Sequence, residues 1–569
     1  MTEFLLVFAL AIALGWPLGR YLAAVMRGAP MRGDRLFGLI ERPLYALLGV
    51  DPSRGMGWKV YAKAFLLSNL VLGVIVWVVL MTQAWLPLNP NDIPNMRWDL
   101  ALHTMVSFLT NTNQQHYSGQ AQLSYLAHAS AIVGLQVVTP MMGLALVAAT
   151  LRGLFGGREK SAATTVITTN GAADVGNYWA DVIRPAVRFL LPLCLVWSLA
   201  LTSQGVPATL QGGPVATPVD ASAQMAEQKI PLGPVAPMVA IKQLGTNGGG
   251  WYGPNSAVPL ENPTPFSNLL ETLALILIPV SIAFMVGSFT GRRKFTALVF
   301  GTMLTMSLVS AGTAVWSESL SVTSSDIALM EGKEVRFGAA PSALWVAFTT
   351  QTSNGSVNAM HDSLAPLTGL VTISNMLVNA IWGGVGCGLQ QFLVYLLLSV
   401  FLAGLMTGRT PELFGRKIEA HEVKLLAALV LLQPLALLAF TAITLAVPSI
   451  TGNSNPSFHG ISQVFYEYVS AFANNGSGFE GLGDATYWWN LSASLMLALG
   501  RYPALIIPLA IAGSLARKRA TPEGPGTLKV ETPTFALTLI AVVVILTLLQ
   551  FMPVLVLGPV ADHLALSAL

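Results

Sequence analysis

Thr349-Thr-Gln-Thr-Ser-Asn-Gly355 lies between two apolar stretches long enough to cross a bilayer, and the second of these is interrupted at Gly383-Gly-Val-Gly-Cys-Gly388. Polar, non-helical backbone at membrane depth is tolerated only where it is buried in protein or lines a water-filled path. Three more stretches share the setting: Thr110-Asn-Thr-Asn-Gln-Gln115, Gly245-Thr-Asn-Gly-Gly-Gly250 and Ala473-Asn-Asn-Gly476. Asn-Gly alone is an ordinary turn dipeptide, and Asn170-Gly171 reads as one. Four polar loops, each preceded by a short apolar segment, point instead to one chain that builds a whole pore.

Composition agrees. The 569 residues are 53% hydrophobic and 10% charged, with mean hydropathy +0.63, where a soluble protein carries about 25% charged residues. Apolar windows near the length that crosses ~30 Å of hydrocarbon fall at 4–24, 65–85, 123–151, 186–203, 266–289, 295–317, 367–406, 425–447, 487–516 and 535–560. The first has no basic residue before it and no small-residue cleavage site, so it reads as a retained helix. Segments 25–64, 152–185, 290–294, 407–424 and 517–534, with Arg20 and Arg188, hold 24 of the 30 basic residues. The opposite loops hold five, and Arg501 sits inside a window. The basic side faces the cytoplasm, which places both termini and all four polar loops outside. The net charge of +3 is thus a topology signal and implies no nucleic acid. Cys194 and Cys387 lie in different windows and form no disulfide framework or zinc spacing.

Asn113, Gly248, Gly355 and Gly476 recur at spacings of 135, 107 and 121 residues. Each marks a unit of span, outer loop, short helix, polar loop and returning span. The units cover 58–152, 184–291, 292–408 and 422–517, flanked by 1–57 and by a helix at 535–560. The fold expected is an all-α polytopic membrane protein of about ten transmembrane helices. Four fused membrane–pore–membrane repeats surround a filter of the potassium-channel kind. Short helices are expected at 98–109, 236–244, 341–349 and 461–472. The carboxyl end of a helix carries about half a negative charge, so four such ends aimed at one point favour a cation. Backbone carbonyls can replace the water of a dehydrated potassium ion, and Gly permits the dihedrals this requires.

Forty residues of unbroken helix in 367–406 would be ~60 Å long, about twice a bilayer. Four glycines in its middle cost a helix roughly 1 kcal/mol each relative to Ala. The break reads as a gate beneath the third loop, or as glycine-mediated helix packing. Arg501, between Gly500 and Pro503, is an intramembrane charge and so a functional candidate. It faces the pore, or it bonds broken-helix carbonyls. Gln115 offers an amide oxygen near the ion path and His116 reads as a wall residue. Asp362 and Glu480 follow the third and fourth loops, as mouth charges or as solvated ones. The chain contains no GxxxxGK[ST] loop and no Asp-Lys-Thr-Gly phosphorylation motif, so ATP hydrolysis by this chain alone is not expected.

The motifs Leu109-Thr-Asn-Thr-Asn113, Leu244-Gly-Thr-Asn-Gly-Gly-Gly250, Pro254-Asn-Ser-Ala257, Asn358-Ala-Met-His-Asp-Ser363, Ala403-Gly-Leu-Met-Thr-Gly-Arg-Thr-Pro-Glu412 and Ala473-Asn-Asn-Gly-Ser477 resemble the A chain of Kdp-type potassium-transporting P-type ATPases over nearly the whole length. The resemblance implies a potassium-binding and translocating subunit of the bacterial inner membrane. K+ would be its cargo and no organic cofactor is implied. A phosphorylating B chain, a C chain and a small F chain would complete the complex. A potassium transporter subunit of the same superfamily, acting without a P-type ATPase, is the alternative. Filter positions implied are Asn111, Thr112, Asn113 and Gln115; Thr246, Asn247, Gly248 and Gly249; Ser353, Asn354 and Gly355; and Asn474, Asn475 and Gly476. Gly383, Gly384, Gly386 and Gly388 match the family's gate, and Arg501 its intramembrane arginine.

Overall fold

The structure, a computed structural model, describes residues 2–156, 173–220, 225–320, 330–522, 524 and 527–567. Asn170-Gly171 lies outside them. Among the described residues ten helices are long and apolar enough to cross a membrane, and each overlaps one of the ten windows. We label them with the shorter helices in chain order: α1 Thr2–Arg27, α2 Asp34–Leu48, α3 Trp58–Trp85, α4 Trp98–Leu109, α5 Ala127–Phe155, α6 Tyr178–Ser203, α7 Val235–Leu244, α8 Pro265–Thr290, α9 Arg293–Ser319, α10 Ala339–Gln351, α11 Pro366–Val378, α12 Cys387–Met406, α13 Ala420–Ala446, α14 Ser457–Phe472, α15 Tyr487–Leu515 and α16 Pro533–Leu566. Span, short helix, irregular loop and returning helix follow one another four times, with α4, α7, α10 and α14 as the short helices. Two antiparallel two-residue pairs, Val215–Ala216 with Gln228–Lys229 and Glu412–Leu413 with Arg416–Lys417, are the strands among the described residues.

Burial sorts the spans. The most apolar windows of α8 and α5 are 83% and 78% buried, whereas that of α13 is 22% buried. Central helices are apolar all round because protein surrounds them, and α13 presents Leu431 and Leu435 outward, as lipid requires. Helix α1 lies along α8 through Gly15 and Gly19. A Cβ at Gly19 would come within 2.4 Å of the Ser281 carbonyl oxygen, so the backbones approach through small residues four apart. Thr264 and Ser267 form a reciprocal cap that starts α8.

Two features differ from the sequence reading. The break in the third repeat opens at Asn379, whose φ is 47°, and closes at Cys387. Gly388 therefore belongs to α12. Asn379 ends α11 in the left-handed region, which Asn tolerates better than most residues, and Gly383 and Gly386, at φ of 61° and 81°, keep the chain non-helical as far as Cys387. The second feature is α2, an amphipathic helix in the first basic segment. Arg188 binds it through Asp34 at 2.7 Å and Glu41 at 2.5 Å, while Leu36, Leu39 and Leu47 on its other side are exposed.

Candidate functional site

The four loops share one backbone pattern. Asn111, Thr246, Ser353 and Asn474 have φ of 61°, 48°, 49° and 55°; two residues further on, Asn113, Gly248, Gly355 and Gly476 have 57°, 65°, 88° and 105°. Left-handed residues thus alternate with residues of negative φ at the same places in all four loops. Non-glycine residues seldom take positive φ, and partners hold Thr246 and Ser353 there. Thr246 Oγ1 accepts from the Val385 N–H at 2.9 Å, and Ser353 Oγ donates to Asn379 Oδ1 at 2.6 Å.

The loops close on one another. A Cβ at Gly248 would lie 2.0 Å from the Asn354 carbonyl oxygen, one at Gly355 2.1 Å from that of Asn475, and one at Gly476 2.2 Å from that of Thr112. The second loop abuts the third, the third the fourth, and the fourth the first. Asn113 Nδ2 completes the ring by donating to the Gly248 carbonyl at 3.1 Å. Side-chain amides reinforce three of the four junctions. Asn247 Nδ2 donates to Asn111 Oδ1 at 2.6 Å, Asn354 Nδ2 to the Lys242 carbonyl at 2.9 Å, and Asn475 Nδ2 to the Thr349 carbonyl at 2.8 Å. The last two acceptors lie in α7 and α10, so the ends of these short helices meet the ring. Asn111, Thr112, Asn113, Thr246, Asn247, Ser353, Asn354, Asn474 and Asn475 are all buried.

The break of the third repeat lies directly beneath. Val385 is tied to Thr246, and the Gly383 N–H donates to the Gln351 carbonyl at 2.7 Å. Asn379 Nδ2 donates to the Ala473 carbonyl at 3.0 Å, so this residue joins the third and fourth loops. A Cβ at Gly386 would meet the Gly143 backbone at 2.4 Å, whereas one at Gly384 would find Thr246 Oγ1 at 3.5 Å and nothing nearer. Arg501 is 3% exposed. Its Nη1 donates to Cys387 Sγ at 2.6 Å and its Nη2 to the Thr139 carbonyl at 3.2 Å. With Asn111, Ser353, Asn379, Gly384 and Asn474 it lines a small cavity under the ring. No carboxylate among the described residues pairs with it.

On the other side of the ring a second cavity is lined by Gln114, Gln115, Gly355, Gly476, Glu467, Glu480 and Asp484. The Gln115 amide is committed to the second loop, since Oε1 accepts from the Gly250 N–H at 2.7 Å and Nε2 donates to the Gly250 carbonyl at 3.0 Å. It braces two loops. Burial lifts the Glu480 carboxyl to about 8 and that of Asp484 to about 6. Asp362 lies behind Glu480, held by His459 Nε2 at 2.9 Å and Gln463 Nε2 at 3.0 Å.

A family model described as the potassium-transporting ATPase A subunit matches residues 5–564. The chain belongs to that family. A Gloeobacter violaceus protein named potassium-transporting ATPase potassium-binding subunit is 47% identical over 561 residues, covering 96% of this chain and 95% of that protein. A Pseudomonas putida protein of the same name is 43% identical over 572 residues, covering 99% and 98%. The solved potassium transporter TrkH from Vibrio parahaemolyticus aligns with a TM-score of 0.49 and 16% identity, over 87% of this chain and 97% of that one.

In this A-subunit chain a polar network absent from the sequence reading supports the second loop. Lys242 and Glu261 form a fully buried ion pair, and Lys242 Nζ donates to Ser256 Oγ at 2.8 Å. Gln243 Nε2 donates to Glu271 Oε2 at 2.9 Å, while Gln243 Oε1 accepts from Ser356 Oγ at 2.8 Å. One buried chain of hydrogen bonds thus joins the second and third loops from outside the ring. The available signal was Lys242 in a short apolar helix and Glu271 in the fifth apolar window, each costly unless paired.

Proposed function

We propose that this chain is the potassium-binding and translocating subunit of an ATP-driven uptake complex. It selects external K+ in the four-loop ring and passes the ion to a P-type ATPase partner, the B chain, with a C chain and a small F chain in the same assembly. The observation that carries this reading is the closed ring of four loops with the same pattern of left-handed residues, packed carbonyl oxygen against glycine with few ionised side chains among them. Such oxygens replace the hydration shell of a large monovalent cation. The relatives' name supports an ATPase assembly, and this sequence has no phosphorylation motif of its own. The basic residues set the ring on the outer side of a bacterial plasma membrane, with both termini outside.

In this reading Asn111, Thr112, Asn113, Thr246, Asn247, Gly248, Gly249, Ser353, Asn354, Gly355, Asn474, Asn475 and Gly476 form the filter, with Gln115 bracing its outer edge. Gly383, Gly384 and Gly386 lie in the gate, and Gly388 begins the helix beyond it. Gly384 separates the gate from mere packing. Gly384→Ala meets only ordinary contacts and is expected to fold and transport normally. Gly384→Leu projects into the space under Thr246 and Ser353, and turnover by the assembled complex should fall at least tenfold. Equal transport by both variants would remove the gate from this place.

The assembly reading is tested by purification from native membranes. The chain should bring down a larger chain that forms an acid-stable aspartyl phosphate and hydrolyses ATP faster when K+ is added. A chain recovered alone that passes K+ down its gradient would establish the alternative, a transporter subunit that works without a P-type ATPase.

A further inference from the structure

Behind the outer cavity the first and fourth repeats bring together His116, Glu467 and Asp484, with one ligand atom from each lying within 4.8 Å of the others. His116 Nδ1 meets Asn490 Oδ1 at 2.8 Å, and Asn490 Nδ2 donates to Asp99 Oδ2 at 2.8 Å. Asp99 is in turn held by Arg97 through Nε at 2.5 Å. Because the Asn490 amide nitrogen is committed to Asp99, its oxygen must be the acceptor, so Nδ1 carries the hydrogen. His116 Nε2 then faces Glu467 Oε1 at 3.2 Å. A lone pair and a carboxylate oxygen hold that distance only with a proton or a cation between them.

We propose that His116, Glu467 and Asp484 bind a divalent transition-metal ion of the zinc class, and that an ion held there obstructs the outer mouth of the ring. Zinc bonds to imidazole nitrogen and carboxylate oxygen are ~2.0–2.2 Å long, so neighbouring ligands of a tetrahedral site lie about 3.4 Å apart. The His116–Glu467 pair, at 3.2 Å, is close to that separation, and closing Asp484 onto the ion from within 4.8 Å needs up to about 1.4 Å of movement in a partly exposed loop. An imidazole with two carboxylates suits zinc, whereas K+, Mg2+ and Ca2+ prefer all-oxygen sites. The Asn490–Asp99–Arg97 chain orients the imidazole as outer hydrogen bonds do at metal sites.

A second observation is independent of the cluster's charge. Gln114 is 2% exposed, lines the same cavity as Glu467 and Asp484, and donates through Nε2 to Glu467 Oε1. Its Oε1 makes no well-formed hydrogen bond among the described residues, its one polar neighbour being the buried His103 imidazole. That buried oxygen would complete the coordination directly or hold the water that does. On binding, the metal takes the place of the proton between His116 and Glu467, and the proton leaves to solvent. The ion then sits beside Gly355 and Gly476, where its double charge opposes an approaching K+.

The test uses the whole complex, purified without an affinity tag. Titration with Co2+ should give the intense visible bands of tetrahedral cobalt, which excess Zn2+ removes. The bands should be missing in His116→Ala and in Asp484→Asn, the milder change. This readout does not depend on transport. Zn2+ should also inhibit K+-stimulated ATP hydrolysis, reversibly with chelator, at a half-inhibitory concentration at least ~10-fold higher in each variant than in wild type; this arm rests on the transport reading. Missing cobalt bands in wild type, or bands and zinc sensitivity unchanged in both variants, would overturn the site.

Discussion

Gly248→Asp is expected to abolish high-affinity, selective K+ uptake while leaving the chain in the membrane. Gly248 has φ of 65°, and any Cβ there would lie 2.0 Å from the Asn354 carbonyl oxygen and 2.8 Å from the Ser356 nitrogen. Both neighbours are backbone, so neither moves without opening the contact between the second and third loops. Left-handed geometry costs a residue with a side chain roughly 1–2 kcal/mol, and overpacking adds about 1–3 kcal/mol. Together these amount to about 2–5 kcal/mol, more than a tenfold change in affinity at 1.4 kcal/mol per decade. The carboxylate adds a charge that binds cations without measuring their size. Uptake from low external K+, in cells that depend on this complex, should fail, and the preference for K+ over Rb+ should shrink. Gly355→Ala and Gly476→Ala meet backbone oxygens at 2.1 and 2.2 Å and should act in the same direction. Gly301→Ala, with open space around it, is the control. Unchanged affinity and discrimination in Gly248→Asp would remove the ring from ion selection.

The elements around this ring were legible in the sequence because each is decided locally. An apolar window that ends in Asn, Gly, Thr and Ser cannot continue as a helix, which is why α4 ends at Leu109 and α14 at Phe472 as read. The α2 helix was not, because its apolar residues lie in a basic segment, 25–64, that was read for its charge and not for its periodicity. What joins the elements was also out of reach. Asn379 sits 26 residues from Ser353 and 94 from Ala473, yet bonds both loops; Lys242 and Glu261 meet across an intervening turn; and His116 lies 351 residues from Glu467. Spacing along one chain carries no register for contacts made by folding four repeats into a circle. Gln115 shows the same limit from the other side. The sequence placed its amide near the ion path, but only the structure shows Gly250 taking both ends of it.

Removing the charge of Arg501 is expected to uncouple ion movement from ATP. The side chain is buried under the ring, lines the cavity with Asn111, Ser353 and Asn474, and has no carboxylate partner among the described residues. Its two hydrogen bonds, to the Thr139 carbonyl and to Cys387 Sγ, neutralise nothing, so its full charge acts on the cavity. A cation within ~8 Å of it, at an effective dielectric constant of ~20, is opposed by about 2 kcal/mol. On the proposed function, that barrier would keep a selected ion from dropping through the ring before the partner is ready. Arg501→Gln keeps amide donors at the site but removes the charge. In proteoliposomes holding the whole complex, it should raise K+ flux in the absence of ATP roughly 30-fold, the rate equivalent of that barrier. ATP hydrolysis should continue while net uptake per ATP falls. Arg501→Lys restores a charge but loses the fork that reaches both acceptors, so it should recover most of the barrier and part of the coupling. These two variants separate charge from scaffolding. If Arg501→Gln stays as tightly coupled as wild type while Arg501→Lys fails, the guanidinium serves α5 and the gate as a hydrogen-bonding brace, and the barrier beneath the ring lies elsewhere.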